Sequence, residues 1–244
     1  DVIAFAEVEN RRILERFNEE LLGNRFPYAM LIDGNDERGI DVGVLSRFPI
    51  TAVRTHIFDE RGGRRVFHRD CLELDISLPN AATLKLLVSH FKSRRPGRPG
   101  EPDSDLLRRY EAERVAEILG HYELNRQLVA FVGDLNDTKP RAPNALQPLW
   151  QLPNFAEVFE SKFPGKAHEE LWTFYFAPER LRQKIDFMFA SQALLAHLKN
   201  AGIERRGMYD LAARGGGSEQ SLPSVTSHED AASDHAAIWA DLDL

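Results

Sequence analysis

The feature that most constrains the fold is a series of short apolar runs spaced along the whole chain. Several of them, including Leu128–Val132, are apolar on both faces of a strand, as expected of strands buried in the middle of a layered fold. None approaches the ~20 apolar residues that cross a bilayer. The runs therefore predict sheets that are covered on both faces. The predicted strands are Ile3–Phe5, Val42–Leu45, Cys71–Ile76, Leu84–Ser89, Leu128–Val132, Ile185–Phe189 and Ala236–Asp241.

Three segments between these runs predict helices. Residues 10–23 place apolar side chains at helical spacing and can end at Gly23. Residues 104–120 begin at a suitable N-cap, Ser104, and can end at Gly120. A shorter helix is predicted over residues 191–198. Because no linker separates two cores, residues 1–244 are predicted to form a single domain.

Charge is unevenly distributed. The net charge of −7 argues against general binding to polyanions. Two runs, Arg61–Arg69 and Lys92–Gly100, each carry four basic residues and no acid, and they are either solvated loops or contacts for phosphate. The connections 93–105 and 214–234 are too rich in Gly, Pro and Ser for regular structure. The single Cys71 excludes an internal disulfide framework and a multi-cysteine zinc site. The compartment, cytoplasmic or secreted, stays open.

A cluster of polar residues follows one apolar run directly. In "VAFVGDLND" the run stops at Gly133, which lets the backbone pass close to a ligand, and Asp134, Asn136 and Asp137 follow. Asp134 and Asn136 face the same side if the extended geometry continues. Taken alone, the motif is also compatible with a turn held by Asx hydrogen bonds.

Other strand ends carry similar side chains. Asp186 lies within an apolar run, and a carboxylate buried there requires a partner or a metal ion. Because strand ends are common places for functional sites, this shared placement indicates one site rather than packing. The residues at strand ends are Glu7, His90, Lys92, Asp134, Asn136, Asp186, Asp234 and His235.

The segments "EVEN", "GVLSRFPI", "HFKSR", "GDLND", "WTF", "KIDF" and "SDH", in this order, resemble the endonuclease/exonuclease/phosphatase superfamily, to which deoxyribonuclease I belongs. The resemblance implies an α/β fold, a four-layer α/β sandwich of two packed, mostly antiparallel sheets flanked by helices. The family's first strand, which ends in an Asn, should precede Glu7. The chain starts too late to contain it, so the domain is expected to be incomplete at its N-terminus.

The resemblance also implies roles for the strand-end residues. Glu7 would bind Mg²⁺ or Mn²⁺, and Ca²⁺ is an alternative as a structural ion. Asp234 would orient His235 or add a further metal ligand. His235 would be the general base on the attacking water or a phosphate contact. Asp134 would position the water or act as an acid, Asn136 would donate to a phosphoryl oxygen, and Asp186 would fix a histidine or bind a second ion.

Further roles follow from the deoxyribonuclease I branch of the family. His90 resembles the histidine that protonates the leaving group there, and Glu37 stands where that branch has its acidic partner. Arg69 resembles an arginine that holds the phosphate, and Lys92 is a second candidate for phosphate binding. Glu37 and Arg69 are also compatible with solvated side chains in a charged loop.

Together these features predict a metal-dependent phosphodiester hydrolase, most simply a nuclease acting on DNA or RNA as a monomer. The alternative on the same scaffold is a phosphatase or phosphodiesterase for a small-molecule or lipid headgroup ester. An inactive binding module is the third possibility, and the retained carboxylates and histidines argue against it.

Overall fold

The computed structural model describes residues 1–95, 102–139, 144–214 and 218–244. Their helices are α1 (Arg11–Leu22), α2 (Ser104–Leu119), α3 (Gln147–Trp150), α4 (Val158–Lys162) and α5 (Gln192–Leu195), with a 3-10 turn at Ala177–Glu179. Their strands are β1 (Val2–Val8), β2 (Tyr28–Leu31), β3 (Asp41–Ser46), β4 (Ile50–Arg54), β5 (Glu60–Arg61), β6 (Arg64–Arg65), β7 (Cys71–Ser77), β8 (Thr83–His90), β9 (Leu128–Asp134), β10 (Phe155–Glu157), β11 (Phe174–Phe176), β12 (Leu181–Gln183), β13 (Asp186–Ser191), β14 (Leu198–Glu204) and β15 (Ala237–Leu242).

The central layer is a six-stranded sheet in the order β10-β13-β9-β8-β7-β4. Only β8 and β9 pair in parallel, and all its other neighbours are antiparallel. The second sheet layer is described in two pieces, β1-β3-β2 and β14-β15. Val44 of β3 and Ala201 of β14 pack in one core with Leu86 and Ala130 of the central sheet, so both pieces lie on the same side of it.

Two cores separate the layers, and alternate residues of one strand enter different cores. Leu87 of β8 and Phe131 of β9 pack against α2, whereas Leu86 and Ala130 pack against the second sheet layer. Burying one such side chain stabilises the fold by about 1.5–3 kcal/mol. A third cluster, which includes Leu14, Leu31 and Leu45, packs α1 on the outside of β2 and β3. The result is the helix–sheet–sheet–helix sandwich that the sequence predicts.

All seven predicted strands are present, and the strands that were missed lie at edges. β14 is the clearest case: the helix predicted over residues 191–198 stops at Leu195, and Leu198 begins a strand paired with Leu242. Its sequence, LKNAGIE, has three polar side chains and a glycine among seven residues, and only Ala201 is buried. An edge strand of this kind lacks the apolar periodicity on which the prediction depends. The structure likewise adds β2 and β4.

The predicted ends of the two long helices are confirmed, except for the N-cap of α2. α1 ends at Gly23, whose φ of 61° is left-handed, as glycine allows. The N-cap of α2 is Asp103 and not Ser104, because the Asp103 carboxylate accepts from the backbone N–H of Asp105. Among the described residues no helix is both long and apolar enough to cross a membrane.

His56, which has no role in the predicted site, is half-buried on the helix-facing side of the central sheet. Its Nδ1 lies 3.1 Å from Asp59 Oδ2, and its Nε2 lies 3.2 Å from Glu73 Oε2. Burial lowers the pKa of His56, but the hydrogen bond to Glu73 and the charge of Asp59 outweigh it, so the net direction is upward. Both ring nitrogens face acceptors, and the protonated ring is therefore the form that satisfies them.

We expect His56 to make stability depend on pH. Its pKa is higher in the folded state than in the unfolded state, so its contribution is complete below the unfolded value of about 6.5 and is lost as the pH rises through the folded value. The variant His56→Gln should lose about 1 kcal/mol more at about pH 5.5 than at about pH 9, measured by urea unfolding. The exposed His121 offers the control His121→Gln. A loss that is equal at both pH values would contradict the assignment.

Candidate active site

Three neighbouring strands bring three predicted residues into one row. His90 at the end of β8 pairs in register with Asp134 at the end of β9. On the other side of β9, Asp134 pairs with Asp186 at the start of β13. Because adjacent strands lie about 4.8 Å apart, the three side chains share one edge of the central sheet.

Gly133 makes this row possible. A Cβ at this position would lie 1.8 Å from the carbonyl oxygen of Ser89, its partner on β8. No side chain fits at that distance, so any larger residue would push β8 away from β9. The glycine of "GDLND" therefore serves the close approach of two strands, in addition to any ligand.

Asp134 is the centre of the row and is 8% exposed. Its Oδ1 accepts from the backbone N–H of Asn136 at 2.9 Å, and its Oδ2 lies 3.3 Å from His90 Nε2. Burial raises the pKa of Asp134, but the hydrogen bond from His90 and the charges of His90 and His235 outweigh it and lower the pKa. The side chain is therefore held as a carboxylate.

His235 reaches the row from the segment before β15. Its Nδ1 lies 2.9 Å and 3.1 Å from the two oxygens of Asp186, so Nδ1–H donates to that carboxylate and Nε2 is left for other partners. Burial lowers the pKa of His235, but the bond to Asp186 and the charges of Asp186, Asp134 and Asp234 raise it to about 9. The ring of Phe174 lies 4.8 Å from the imidazole and forms its wall.

Thr173 of the "WTF" segment joins the two halves of this pair. Its hydroxyl accepts from the backbone N–H of Asp186 at 3.1 Å, and its carbonyl oxygen accepts from the N–H of Ala236 at 2.7 Å. Thr173 is fully buried, and the neighbouring Trp172 is 2% exposed in a small core of its own. The motif therefore sets the distance between β13 and His235, a role that the sequence analysis did not identify.

Asn136 is oriented by its neighbours in a way that changes its expected role. Its Nδ2 donates to Phe91 O at 3.1 Å and to Asp134 Oδ2 at 3.1 Å. Both partners can only accept, so they determine which end of the amide is the NH₂ group. Both amide hydrogens are thus in use, and the remaining atom is Oδ1, an acceptor. The expected hydrogen bond from Asn136 to a phosphoryl oxygen does not fit this arrangement.

His90 is placed differently from its expected role. It is 3% exposed, its Nε2 faces Asp134, and its Nδ1 is buried with no hydrogen-bond partner in the described structure. The expected pairing with Glu37 is thus not formed at Nδ1. A side chain so enclosed does not reach a leaving group, because proton transfer requires hydrogen-bond distance. Its position suits it to hold Asp134.

Arg69 is also too enclosed for the role expected of it. The side chain is 2% exposed, Nη1 donates to Asp36 at 3.0 Å, and Nη2 donates to Phe91 O at 2.5 Å. Its Nε is buried with no hydrogen-bond partner in the described structure. Because the side chain is almost completely enclosed, Arg69 supports the site from behind. Lys92 lies half-buried on the segment after β8, with its Nζ 3.4 Å from Arg95 O.

Glu7 and Asp234 are both exposed and lie outside the closest cluster. Glu7 has a positive φ of 58° at a bulge of β1, and its charge helps to raise the pKa of Arg38, after the larger effect of the hydrogen bond to Asp36. Since Asp36 also binds Arg69, Glu7 belongs to the same end of the sandwich. Asp234 precedes His235 and acts on it through charge.

The closest group of possible metal ligands consists of Asp134, Asp186 and His235. One ligand atom from each lies within 4.8 Å of the others, a spacing that one ion with ligand distances of about 2.0–2.6 Å can bridge. Two carboxylates and one imidazole suit Mg²⁺ or Mn²⁺ better than a soft metal. Glu7, the predicted ligand, is not in this group.

Two further residues near the site, Arg108 and Glu111, come from α2. Both are completely buried although they are charged. Burial raises the pKa of Glu111 to about 7, against the hydrogen bond from Lys92 and the charges of Arg69 and Arg108. The signal was present in the sequence: both residues fall on the helix stripe that also carries Leu107 and Val115.

A family model described as the endonuclease/exonuclease/phosphatase family matches residues 1–235 of the chain. No curated protein matches this chain.

Three solved structures are similar to this one. An AP endonuclease from Archaeoglobus fulgidus has a TM-score of 0.68 at 16% identity, with 100% of this chain and 89% of that chain covered. D. rerio TDP2 complexed with single-strand DNA product has a TM-score of 0.64 at 16% identity, covering 98% and 84%. The 3' phosphatase NExo from Neisseria, bound to a product DNA hairpin, has a TM-score of 0.62 at 13% identity, covering 100% and 89%. At these identities the likeness establishes the fold alone.

The contact between Asp186 and His235 predicts a measurable change in the imidazole. In Asp186→Asn the pKa of His235 should fall from about 9 towards the ordinary value of about 6.5, because the charge and the hydrogen bond that raise it are removed. NMR titration of the histidine ring in EDTA-treated protein measures this. Asp241→Asn, which changes an exposed carboxylate of β15, is the matched control. An unchanged pKa in Asp186→Asn would show that the pair does not form.

Proposed function

Since the chain belongs to the endonuclease/exonuclease/phosphatase family, we propose that it is a divalent-metal-dependent phosphodiester hydrolase that acts on nucleic acid. The observation that carries the proposal is the meeting of Asp134, Asp186 and His235 at one edge of the central sheet. Hydrolysis of a phosphodiester needs an activated water and neutralised phosphate charge, and these side chains offer a base, an orienting carboxylate and oxygen ligands.

His235 is the group proposed to act on the reacting atoms. Asp186 holds its Nδ1, so Nε2 faces the reaction. In its neutral form Nε2 accepts a proton from the attacking water, and in its protonated form it donates to a phosphoryl oxygen. Asp134, held as a carboxylate by His90, positions the water. Asn136 Oδ1 is an acceptor beside them.

The metal is proposed to bind the carboxylates of Asp134 and Asp186, with Glu7 and Asp234 as the ligands that the family resemblance adds. His235 is not counted as a ligand, because its Nδ1–H donates to Asp186 and its Nε2 is the proposed base. A divalent cation, Mg²⁺ or Mn²⁺, would supply a Lewis acid for the phosphoryl oxygen. The side chains of this group themselves orient the water, fix the imidazole and set the local charge.

Nucleic acid is the preferred substrate class because two of the similar structures, TDP2 and NExo, hold a DNA product. A small or lipid headgroup phosphoester is the second candidate. It is favoured by the ion pairs that arginines of the two basic runs form with carboxylates of the protein. Arg61 is bound by Glu113 and stacks on Tyr110, while Arg94 is bound by Asp137 at 2.8 Å. Paired arginines contribute less to a polyanion site than free ones. The monomeric state stays a prediction.

Metal dependence can be measured without activity. Mn²⁺ at about 100 times its Kd should stabilise the wild type by about 2.7 kcal/mol, read as a rise in Tm. Asp134→Asn should lose most of that rise because it removes a ligand charge, and Asp241→Asn should keep it. Glu7→Gln tests whether the exposed Glu7 is a further ligand. Hydrolysis of bis-p-nitrophenyl phosphate that survives excess EDTA would refute metal dependence.

The substrate class can be tested at the loop after β8. Arg95→Ala combined with Arg98→Ala, where Arg98 lies outside the described residues, should raise the KM for DNA. It should also lower the log–log salt slope by about 0.7–0.9 for each phosphate that the loop no longer neutralises. Arg94 is kept, because it ties Asp137 and the carbonyl oxygen of Asn136.

Turnover of bis-p-nitrophenyl phosphate should stay unchanged in this double variant, since a small diester reaches only the row of catalytic side chains. Arg126→Ala, an exposed arginine near the opposite end of β9, is the matched control. An unchanged KM for DNA would favour the small phosphoester instead.

A further inference from the structure

Two buried charged side chains of α2 hold the backbone of one residue, Lys92, on either side of its Cα near the proposed catalytic residues. Glu111 Oε2 accepts from the backbone N–H of Lys92 at 2.8 Å. Arg108 Nη1 donates to the carbonyl oxygen of the same Lys92 at 3.0 Å. Both side chains have no exposed surface. The helix therefore grips both polar backbone groups of a residue that lies two positions after His90.

The residue before Lys92 is held as firmly, but by the proposed site itself. The N–H of Phe91 donates to the carbonyl oxygen of Asp134 at 2.9 Å. Its carbonyl oxygen accepts from Arg69 Nη2 and from Asn136 Nδ2. Any shift of Lys92 would move Phe91 O, and with it the acceptor that orients the Asn136 amide.

Stability alone does not account for this choice of residues. Arg108 and Glu111 stand on the apolar stripe of α2, where leucine or methionine would pack without the desolvation cost of burying charge. The network is also incompletely satisfied: Glu111 Oε1 and Arg108 Nε are buried with no hydrogen-bond partner in the described structure. Arg108 Nε lies 3.8 Å from Asp137 Oδ2, beyond hydrogen-bond distance. A partly satisfied polar network is worse for stability than an apolar core.

We propose that Glu111 and Arg108 are positioning residues, which hold the Phe91–Lys92 backbone and thereby keep His90 and Asn136 in the geometry that the reaction requires. The catalytic part of this inference rests on the proposed function, and the structural part does not. Neither residue touches the reacting atoms. Their effect belongs to turnover, because a small displacement of a catalytic group lowers the rate without removing substrate binding.

The test compares two substitutions at one position. Glu111→Gln keeps an amide oxygen that accepts from Lys92 N–H, while Glu111→Leu has a similar volume and no acceptor. We expect Glu111→Leu to stay folded at the assay temperature with a lower Tm, because the Lys92 N–H and the buried Arg108 lose a partner. It should lose roughly 10- to 100-fold in kcat on bis-p-nitrophenyl phosphate with Mn²⁺. Its KM should change by less than about threefold, since the binding groups remain. Glu111→Gln should retain kcat within about threefold.

A control on the same helix separates this effect from general damage to α2. Glu113 binds Arg61 and Arg109 and has no contact with the Phe91–Lys92 segment in the described structure. Glu113→Leu should leave kcat unchanged on the small diester. Arg108→Met removes the second half of the grip and should reproduce the loss seen in Glu111→Leu. Failure of both Glu111→Leu and Arg108→Met to fold would assign the pair to stability alone and overturn the proposal.

A second readout needs no activity. The side-chain NH₂ signals of Asn136, identified by their disappearance in Asn136→Asp, should exchange slowly with water in the wild type and in Glu111→Gln. In Glu111→Leu they should exchange faster, because Phe91 O has moved. Unchanged signals in a folded Glu111→Leu protein would overturn the proposal. If the wild type hydrolyses no phosphoester, the proposed function fails while the exchange measurement still decides the positioning role.

Discussion

The parallel pairing of β8 with β9 is the constraint on which the rest of the site depends. It brings the Ser89 carbonyl so close to Gly133 that a Cβ there would lie 1.8 Å from its oxygen. The same register sets His90 beside Asp134, and the antiparallel pairing of β13 adds Asp186. Since successive side chains of a strand point to opposite faces of a sheet, a slip of β9 by one residue would turn Asp134 to the other face, away from His90 and Asp186. Core packing and site geometry therefore depend on one set of backbone hydrogen bonds.

Around this row of side chains, buried charged residues form hydrogen bonds with main-chain atoms instead of facing solvent. Arg69, Arg108 and Glu111 each direct a charged group at a main-chain atom of Phe91 or Lys92. Lys184, also buried, pairs with Glu157 at 3.0 Å and donates to the carbonyl oxygen of Asp186. Charges in such places are costly to bury, and they are strongly directional once paired. These side-chain hydrogen bonds hold the backbone of the segments after the strands, just as backbone hydrogen bonds between strands hold a sheet.

The electrostatic character of the site follows from its pairs and not from the net charge of −7. Asp134 and Asp186 are neighbours on adjacent strands, and both carboxylates lie close to His235, so the group attracts both a proton and a cation. The arginines predicted to favour phosphate are largely committed to carboxylates, as in Arg61 with Glu113 and Arg94 with Asp137. A polyanion would therefore bind these arginines only where its phosphates replace the carboxylates that now pair with them.

The sequence by itself determined the layered fold, seven strands of its two sheet layers and the polar residues that follow them, because short apolar runs and polar strand ends are local signals. Of those polar residues, the structure brings His90, Asp134, Asp186 and His235 together. It also identified the family through short ordered motifs. Only the tertiary structure decided that His90 and Arg69 are enclosed, that the Asn136 amide has both hydrogens in use, and that Arg108 and Glu111 support the site. Those properties depend on which groups from distant segments bury one another, and no local pattern of residues specifies the partner of a buried polar atom.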